Sequence, residues 1–312
     1  MLTRRDVVKA MATLGLGGVG FSGYAFAEAA RDTVTTYRLT PPAWTPGLAV
    51  RLAVIADLHI CEPWMSLDRV DRIVEQTNRL GADAVLLLGD YVVGRRLGRF
   101  SRPIDVSAWA PVVGRLKAPL GVHAVLGNHD WWDDAAVQRR RSGPTPAGLA
   151  LQAAGVPVYE NHAVRLVKNG KPFWIAGLGS QWAFWPRADR KSELRQRRED
   201  YYIGVDDVPK TLSMVTDDAP VVLMAHEPDL FPKLPPRFSL TISGHTHGGQ
   251  VRVFGYAPVV PSKFGSRYAY GHVVESGRHL IVSGGLGCSA LPIRFGAPPE
   301  IVIIELGSET SA

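Results

Sequence analysis

From Val50 onward the chain repeats one pattern: a short apolar run, a polar loop carrying His, Asp or Asn, and then a mixed or amphipathic stretch. Arg51-Leu52-Ala53-Val54-Ile55-Ala56 reads as a buried strand that stops at Asp57. Asp83-Ala84-Val85-Leu86-Leu87-Leu88 reads as a second, stopping at Gly89-Asp90, and Val122-His123-Ala124-Val125-Leu126 as a third, stopping at Gly127-Asn128-His129-Asp130. Between the first two, Leu67, Val70, Ile73, Val74 and Leu80 recur at the three- and four-residue intervals of a helix face. Further runs at 172–177, 221–225, 240–243, 280–282 and 301–304 read as strands, and 248–253 and 268–274 as hairpin strands. Continuous apolar strands alternating with helices are covered on both faces. The expected fold is α/β: a four-layer α/β/β/α sandwich of two mixed sheets, forming one domain over 48–307 with the polar loops at a sheet edge.

The N-terminal segment breaks this pattern. Thr3-Arg4-Arg5-Asp6-Val7-Val8-Lys9 resembles the twin-arginine export consensus; a Gly- and Ala-rich apolar stretch follows, ending in the small-x-small pattern Ala25-Phe26-Ala27. Residues 1–27 are therefore expected to be a signal peptide. The apolar stretch is shorter than the ~20 strongly apolar residues of a stable span, and an uncleaved anchor is the alternative. The twin-arginine machinery carries folded proteins, which implies folding and metal loading before export to the periplasm, cell wall or outer face of the membrane. Residues 28–47, with Pro41, Pro42 and Pro46, read as an extended lead-in, and 308–312 as a short tail.

Composition narrows the function classes. The 312 residues carry a formal charge of +6, which falls to +4 without Arg4, Arg5, Lys9 and Asp6 of the leader. That mild excess, spread among many acidic residues, does not suggest a nucleic-acid partner. The basic run from Arg187 to Arg198 reads as a solvated helix face or loop. Cys61 and Cys288 lack the spacing of structural zinc and are too few for a disulfide scaffold, although one long-range bond between them is open. No oligomeric state follows from any of this.

The polar loops carry the chemistry. They are Asp57-Leu58-His59, Gly89-Asp90, Gly127-Asn128-His129-Asp130, Ala225-His226-Glu227 and Gly244-His245-Thr246-His247. A single His or Asp after a strand is an ordinary turn or cap residue. Five such loops in order, two of them D-x-H and H-x-H, indicate a metal centre. In extended backbone, alternation by two would send both members of each pair to one site. Mixed imidazole and carboxylate donors suit zinc, manganese or iron better than magnesium or calcium.

In this order the motifs resemble those of the calcineurin-like metallophosphoesterases, and in particular the twin-arginine-exported YkuE-like branch, itself similar to the YaeI-type phosphodiesterases. The likeness runs from about Val50 to Leu306 and includes Gly284-Gly285-Leu286-Gly287-Cys288-Ser289 and Leu291-Pro292-Ile293-Arg294-Phe295-Gly296. It implies two divalent ions, the first held by Asp57, His59 and His247, the second by Asn128, His226 and His245, with Asp90 bridging them and a hydroxide between them as nucleophile. His129 would protonate the leaving oxygen or steady the phosphoryl charge. Asp130 beside it would orient and charge its imidazole, a helix cap for the segment after Trp131 being the alternative. Many relatives read G-D-x-x-D-R where this chain has Asp90-Tyr91-Val92-Val93-Gly94, so the usual second Asp and phosphate-contacting Arg are missing.

His123, His162, His272 and His279 are expected to be structural. Trp64, Trp131, Trp132, Trp182 and Trp185 are core residues by default, or aromatic walls receiving an apolar or sugar-bearing leaving group. The expected activity is hydrolysis of an envelope phosphomonoester or phosphodiester, the substrate being a lipid or cell-envelope polymer. A UDP-2,3-diacylglucosamine-type pyrophosphate hydrolase and a catalytically silent metal-binding scaffold are the alternatives.

Overall fold

A computed structural model describes residues 23–186 and 201–307. In chain order the first strands are β1 (Thr33–Leu39), β2 (Val50–Ile55), β3 (Cys61–Glu62), β4 (Ala84–Leu87), β5 (Arg102–Pro103) and β6 (Val122–Ala124). They are followed by β7 (His162–Lys168), β8 (Lys171–Gly177), β9 (Val221–Met224), β10 (Leu240–Ser243), β11 (Gly271–Glu275), β12 (Arg278–Val282) and β13 (Glu300–Leu306). Strands β3 and β5 pair by themselves, while one large sheet has the order β1-β13-β2-β4-β6 and a second β11-β12-β10-β9-β8-β7. Both are mixed: β2, β4 and β6 run parallel, as do β8, β9, β10 and β12, while β13 opposes β2 and the pairs β7–β8 and β11–β12 are antiparallel.

The period of two in each strand sorts side chains into separate cores. Leu52 and Val54 of β2, Leu86 of β4 and Val302 and Ile304 of β13 meet Ile175, Val222, Met224 and Ile242 between the sheets. Their neighbours Ala53, Ile55, Val85 and Ile303 face the opposite way, onto helices α1 (Leu67–Arg79), α2 (Val106–Val113) and, later in the chain, a helix over Pro146–Ala153. The outer face of the second sheet buries Val221, Leu223, Leu280 and Val282 against Phe231, Phe238 and the helix Val208–Ser213. The four expected layers follow. In α1 the Ser66 side chain accepts from Arg69 N at 3.3 Å, and Val70, Ile73 and Val74 are buried as the spacing predicted. Burying each such side chain contributes about 1.5–3 kcal/mol.

Three segments differ from expectation. Residues 33–39, within the expected lead-in, form edge strand β1 in parallel register with β13, from Thr33 opposite Glu300 to Leu39 opposite Leu306. The 248–253 segment is not a hairpin strand: it turns at His247–Gly249 and makes single bridges, Val251 to Phe295 and Val253 to Tyr256. Two positive-φ glycines, Gly248 and Gly249, stop a strand from forming there. The second expected hairpin starts later, at Gly271. Residues 23–29 are helical, with Ala25 and Ala29 buried; Ala25 O accepts from Arg294 N at 2.9 Å. The twin-arginine motif, the tail at 308–312 and the whole basic run at 187–198 lie outside the described residues. Among the described residues no helix is long and apolar enough to cross a membrane.

Candidate metal centre

Parallel pairing of β2, β4 and β6, and of β9 and β10, brings the loops after their C-terminal ends together. The backbone there is not extended. Asp57, His59, Asp90, His245 and His247 all have positive φ, at 55°, 45°, 56°, 71° and 53°. Left-handed residues of this kind cost of order 1–3 kcal/mol each unless their surroundings hold them, and they cluster at functional sites. The paired motifs therefore do not alternate as extended strands, contrary to expectation. Asp57 and His59 do serve one cluster with His247, but His245 joins Asp90 and His226 in another. The left-handed turns split the H-x-H pair between two sites where extended backbone would have kept it together.

Within each cluster the candidate ligand atoms lie within 4.8 Å of one another, and all six residues are buried. His59 Nε2 is 3.0 Å from His247 Nε2, and His247 Nε2 is 3.7 Å from Asp57 Oδ1. In the second cluster His226 Nε2 is 3.2 Å from Asp90 Oδ2 and lacks a hydrogen-bond partner. Asn128 Oδ1 lies 2.7 Å from His245 Nδ1, at the rim of the same cluster. The carbonyl of Leu88 takes His226 Nδ1 at 2.6 Å, and that of Val92 takes His59 Nδ1 at 2.9 Å. A carbonyl only accepts, so each Nδ1 carries a proton and each Nε2 is the ring atom that faces the cluster. Buried lone pairs and carboxylates aimed at each other are repulsive without a cation between them. The donor set fits two borderline divalent ions.

Asp90 stands between the clusters, its Oδ2 3.2 Å from His226 Nε2 and 3.7 Å from His59 Nε2. Its Oδ1 accepts from His129 N at 2.8 Å. Burial opposes its charge, but His226 and His129 outweigh burial and hold Asp90 well below the usual carboxylate range. Burial likewise opposes a proton on His226, and Asp90 outweighs it and raises the His226 pKa well above the usual value, so a cation would have to displace the Nε2 proton. Burial, opposed by His226 and reinforced by Asp90, pushes Asp57 up to about 7. It pushes His59 down to about 4 and, with His226, His245 down to about 3, leaving both neutral as metal ligands require. Gly127 makes the close packing feasible: a Cβ there would lie 2.2 Å from Asp90 Oδ1 and 2.6 Å from His226 Cε1.

His129 lies beside the ligands, its ring edge-on to His59 at 5.1 Å. The carboxylate that touches it is that of Asp133, with Nδ1 to Oδ2 at 3.0 Å. The expected orienting role of Asp130 is therefore corrected. Asp130 accepts from the backbone N–H groups of Asp90, Tyr91, Val92 and Gly127 and so fastens the Asp90 loop to the Asn128 loop. Burial and the Asp90 charge push Asp130 up to about 7 against the pull of those donors. For His129, burial lowers the pKa, but Asp90, Asp133 and, to a lesser degree, the expected charge of Asp130 outweigh it and raise the pKa above the usual value.

A cleft of about 360 Å³ opens over the centre and reaches Asp90, Asn128, His129, His245 and His247. One wall is aromatic: Trp132 packs on Trp185 at 4.3 Å, Tyr202 stacks on Trp182 at 4.6 Å, and Trp182 meets the edge of His245 at 4.5 Å. Of the tryptophans singled out in the sequence, Trp132, Trp182 and Trp185 line this wall. Trp131 is core, and Trp64 packs against Phe26 elsewhere. Arg95 and Arg96, just beyond the missing Asp-Arg pair, line the cleft too.

Several contributors carried weak sequence signals. The i,i+4 spacing of His129 and Asp133 was readable once a helix was placed at Asn128–Trp132. Glu227 takes Ser180 Oγ at 2.5 Å and Gln181 N at 2.9 Å, holding the Trp182 loop to the His226 loop. Arg294, fully buried, approaches His247 Nδ1 at 3.4 Å while donating to the carbonyls of Gly287 and Ala297. His123 is structural as expected, held between the Tyr159 hydroxyl and Leu120 O. His272 and His279 pair across β11 and β12, and His162 stacks on Tyr159. Cys61 and Cys288 are free thiols in one buried cluster.

The calcineurin-like phosphoesterase family matches residues 50–249. The metallophosphoesterase YkuE of Bacillus subtilis is 26% identical over 98% of both chains. The phosphodiesterase YaeI of Escherichia coli is 25% identical over 98% of this chain and 100% of its own. Among solved structures, the NAD nucleotidase of Haemophilus influenzae superposes with a TM-score of 0.47 at 11% identity, covering 78% of this chain and 46% of that one. The family match spans more than half of the chain and contains all seven expected ligands, and the chain belongs to the calcineurin-like phosphoesterases, hydrolases that work with two metal ions.

Proposed function

We propose that the protein hydrolyses a phosphomonoester or phosphodiester of the cell envelope. The observation that carries this reading is Asp90 lying between two buried ligand clusters, with His129 at their edge. Two bound divalent cations, manganese, zinc or iron, would supply Lewis acidity and an activated water. Asp57, His59 and His247 would hold one, Asn128, His226 and His245 the other, and Asp90 both. Hydrolysis joins phosphorus to a water oxygen and breaks its bond to the leaving oxygen. With Nδ1 engaged by Asp133, Nε2 of His129 is the nitrogen left to give that oxygen a proton. Arg95 and Arg96 supply positive charge at the cleft in place of the missing Asp-Arg pair, and the aromatic wall receives the rest of the substrate.

Chelator-stripped protein should lose hydrolysis of p-nitrophenyl phosphate and its bis ester and regain it with manganese, zinc or iron. Full turnover without metal overturns the reading, and absence of turnover in every reconstituted form leaves the silent scaffold. The export part rests on Arg4-Arg5 and Ala25-Phe26-Ala27. Replacing both arginines by lysine should strand folded protein in the cytoplasm. Cleavage after Ala27 also requires release of the helix whose Ala25 carbonyl is bonded to Arg294, which N-terminal sequencing of exported protein reads directly.

A further inference from the structure

A second cavity, of about 520 Å³, lies on the other side of His129. Val92, Val93, Ile104, Val106, Pro146 and Ala147 supply its apolar walls. It shares His129, Asp133 and Arg95 with the metal cleft, so the imidazole stands between the two spaces. The partition is thin because residue 94 is glycine: a Cβ there would lie 2.2 Å from His129 Cε1. Val93 adds apolar wall and Gly94 open backbone at this point.

We propose that this cavity is a subsite for the apolar tail of an amphiphilic phosphate ester, seated on the leaving-group side of His129. The inference rests on the phosphoesterase reading and adds the substrate class. A group that protonates the leaving oxygen lies against the leaving group, and the space directly behind His129 is this cavity. Its acidic lining residues are already engaged. Asp130 is bonded to four backbone amides, Asp134 caps the next helix by accepting from Val137 N at 2.7 Å, and Asp133 holds His129. What remains for an occupant is mostly aliphatic surface, and Arg95, shared with the metal cleft and 3.6 Å from Asp133 Oδ1, marks the side on which the anionic head would lie. The volume falls in the roughly 300–1,000 Å³ range of small-molecule sites, and an apolar wall of this kind favours an apolar occupant.

The test uses methyl-, butyl- and octylphosphonate, which keep the anionic head and cannot release the tail by P–O cleavage. Their affinities for the metal-loaded protein are measured by calorimetry. Affinity should rise roughly two- to fourfold per methylene over the first carbons. Gly98→Phe fills the cavity from a position where a new Cβ meets nothing within 4 Å, and Ile104→Asp places a charge in it. Both should flatten the chain-length trend, read in each variant as the ratio of octyl to methyl affinity. Equal affinities across the series in the unsubstituted protein overturn the proposal, as does a trend that survives both substitutions. Failure of the metal-reconstituted protein to hydrolyse any phosphate ester would instead count against the phosphoesterase reading, while the phosphonate trend still decides the subsite.

Discussion

His129 and Asp133 face each other one helical turn apart, Nδ1 to Oδ2 at 3.0 Å, while Asp130, next to His129 in the chain, turns away to four backbone amides. The imidazole is thus oriented by the residue four positions on. Asp133→Asn removes the charge that helps raise the His129 pKa, so the alkaline limb of the rate profile should move to lower pH. Alkyl-ester turnover should fall about tenfold with metal content intact. An unchanged pH profile in the reconstituted variant would refute this.

Asp130→Asn should behave differently. It leaves backbone donors without their carboxylate partner and loosens the Asp90 loop, costing about 1–3 kcal/mol of stability. Denaturant melts and metal analysis should register the loss, with no change in preference between aryl and alkyl esters.

His129→Ala should keep both metals and widen the rate gap between aryl and alkyl substrates. The acid matters most when the leaving oxygen is a poor anion, and its loss costs on the order of a hundredfold or more for alkyl esters. Equal losses on both substrates would assign His129 to phosphoryl-charge stabilisation instead.

Metal affinity should depend on pH in a definite direction. Asp57, raised to about 7 mainly by burial, must lose its proton before it can bind a cation, and so must His226, raised by Asp90. His59 and His245, at about 4 and about 3, are already neutral above pH 5 and add no dependence. Affinity should therefore climb as pH rises through about 7, where Asp57 loses its proton, and keep climbing while His226 still holds one; each proton displaced weakens binding roughly tenfold per unit below its pKa. Calorimetry in buffers of differing ionisation heat counts the released protons; zero release at pH 6 would contradict the assignment.

Asp90→Asn should empty both sites, whereas His245→Ala should spare the Asp57 cluster, because the Asp90 carboxylate stands between ligands of the two clusters. Gly127→Ala should resemble Asp90→Asn in metal loss, since its methyl group would displace the Asp90 carboxylate and the His226 ring together. Elemental analysis of purified variants distinguishes one lost metal from two.

The apolar runs and their terminal polar residues were readable along the chain because a strand buried on both faces has no alternative to continuous apolar sequence. They specified β2, β4, β6, β9 and β10, the helix at Leu67–Arg79, and the loops that carry Asp57, Asp90, Asn128, His226 and His245. Strand β1 was not readable: its exposed residues alternate with half-buried ones at the sheet edge, and its partner lies more than 260 residues away. The side-chain directions at the centre were also beyond the sequence. Left-handed φ at five ligands, and hence the separation of His245 from His247, depends on contacts with loops distant in the chain. So does the exchange of Asp130 for Asp133 as the partner of His129, because the amides that claim Asp130 belong largely to the Asp90 loop, some forty residues earlier. Residue types and their order determined which groups could bind metal and move a proton; long-range packing decided which of them meet.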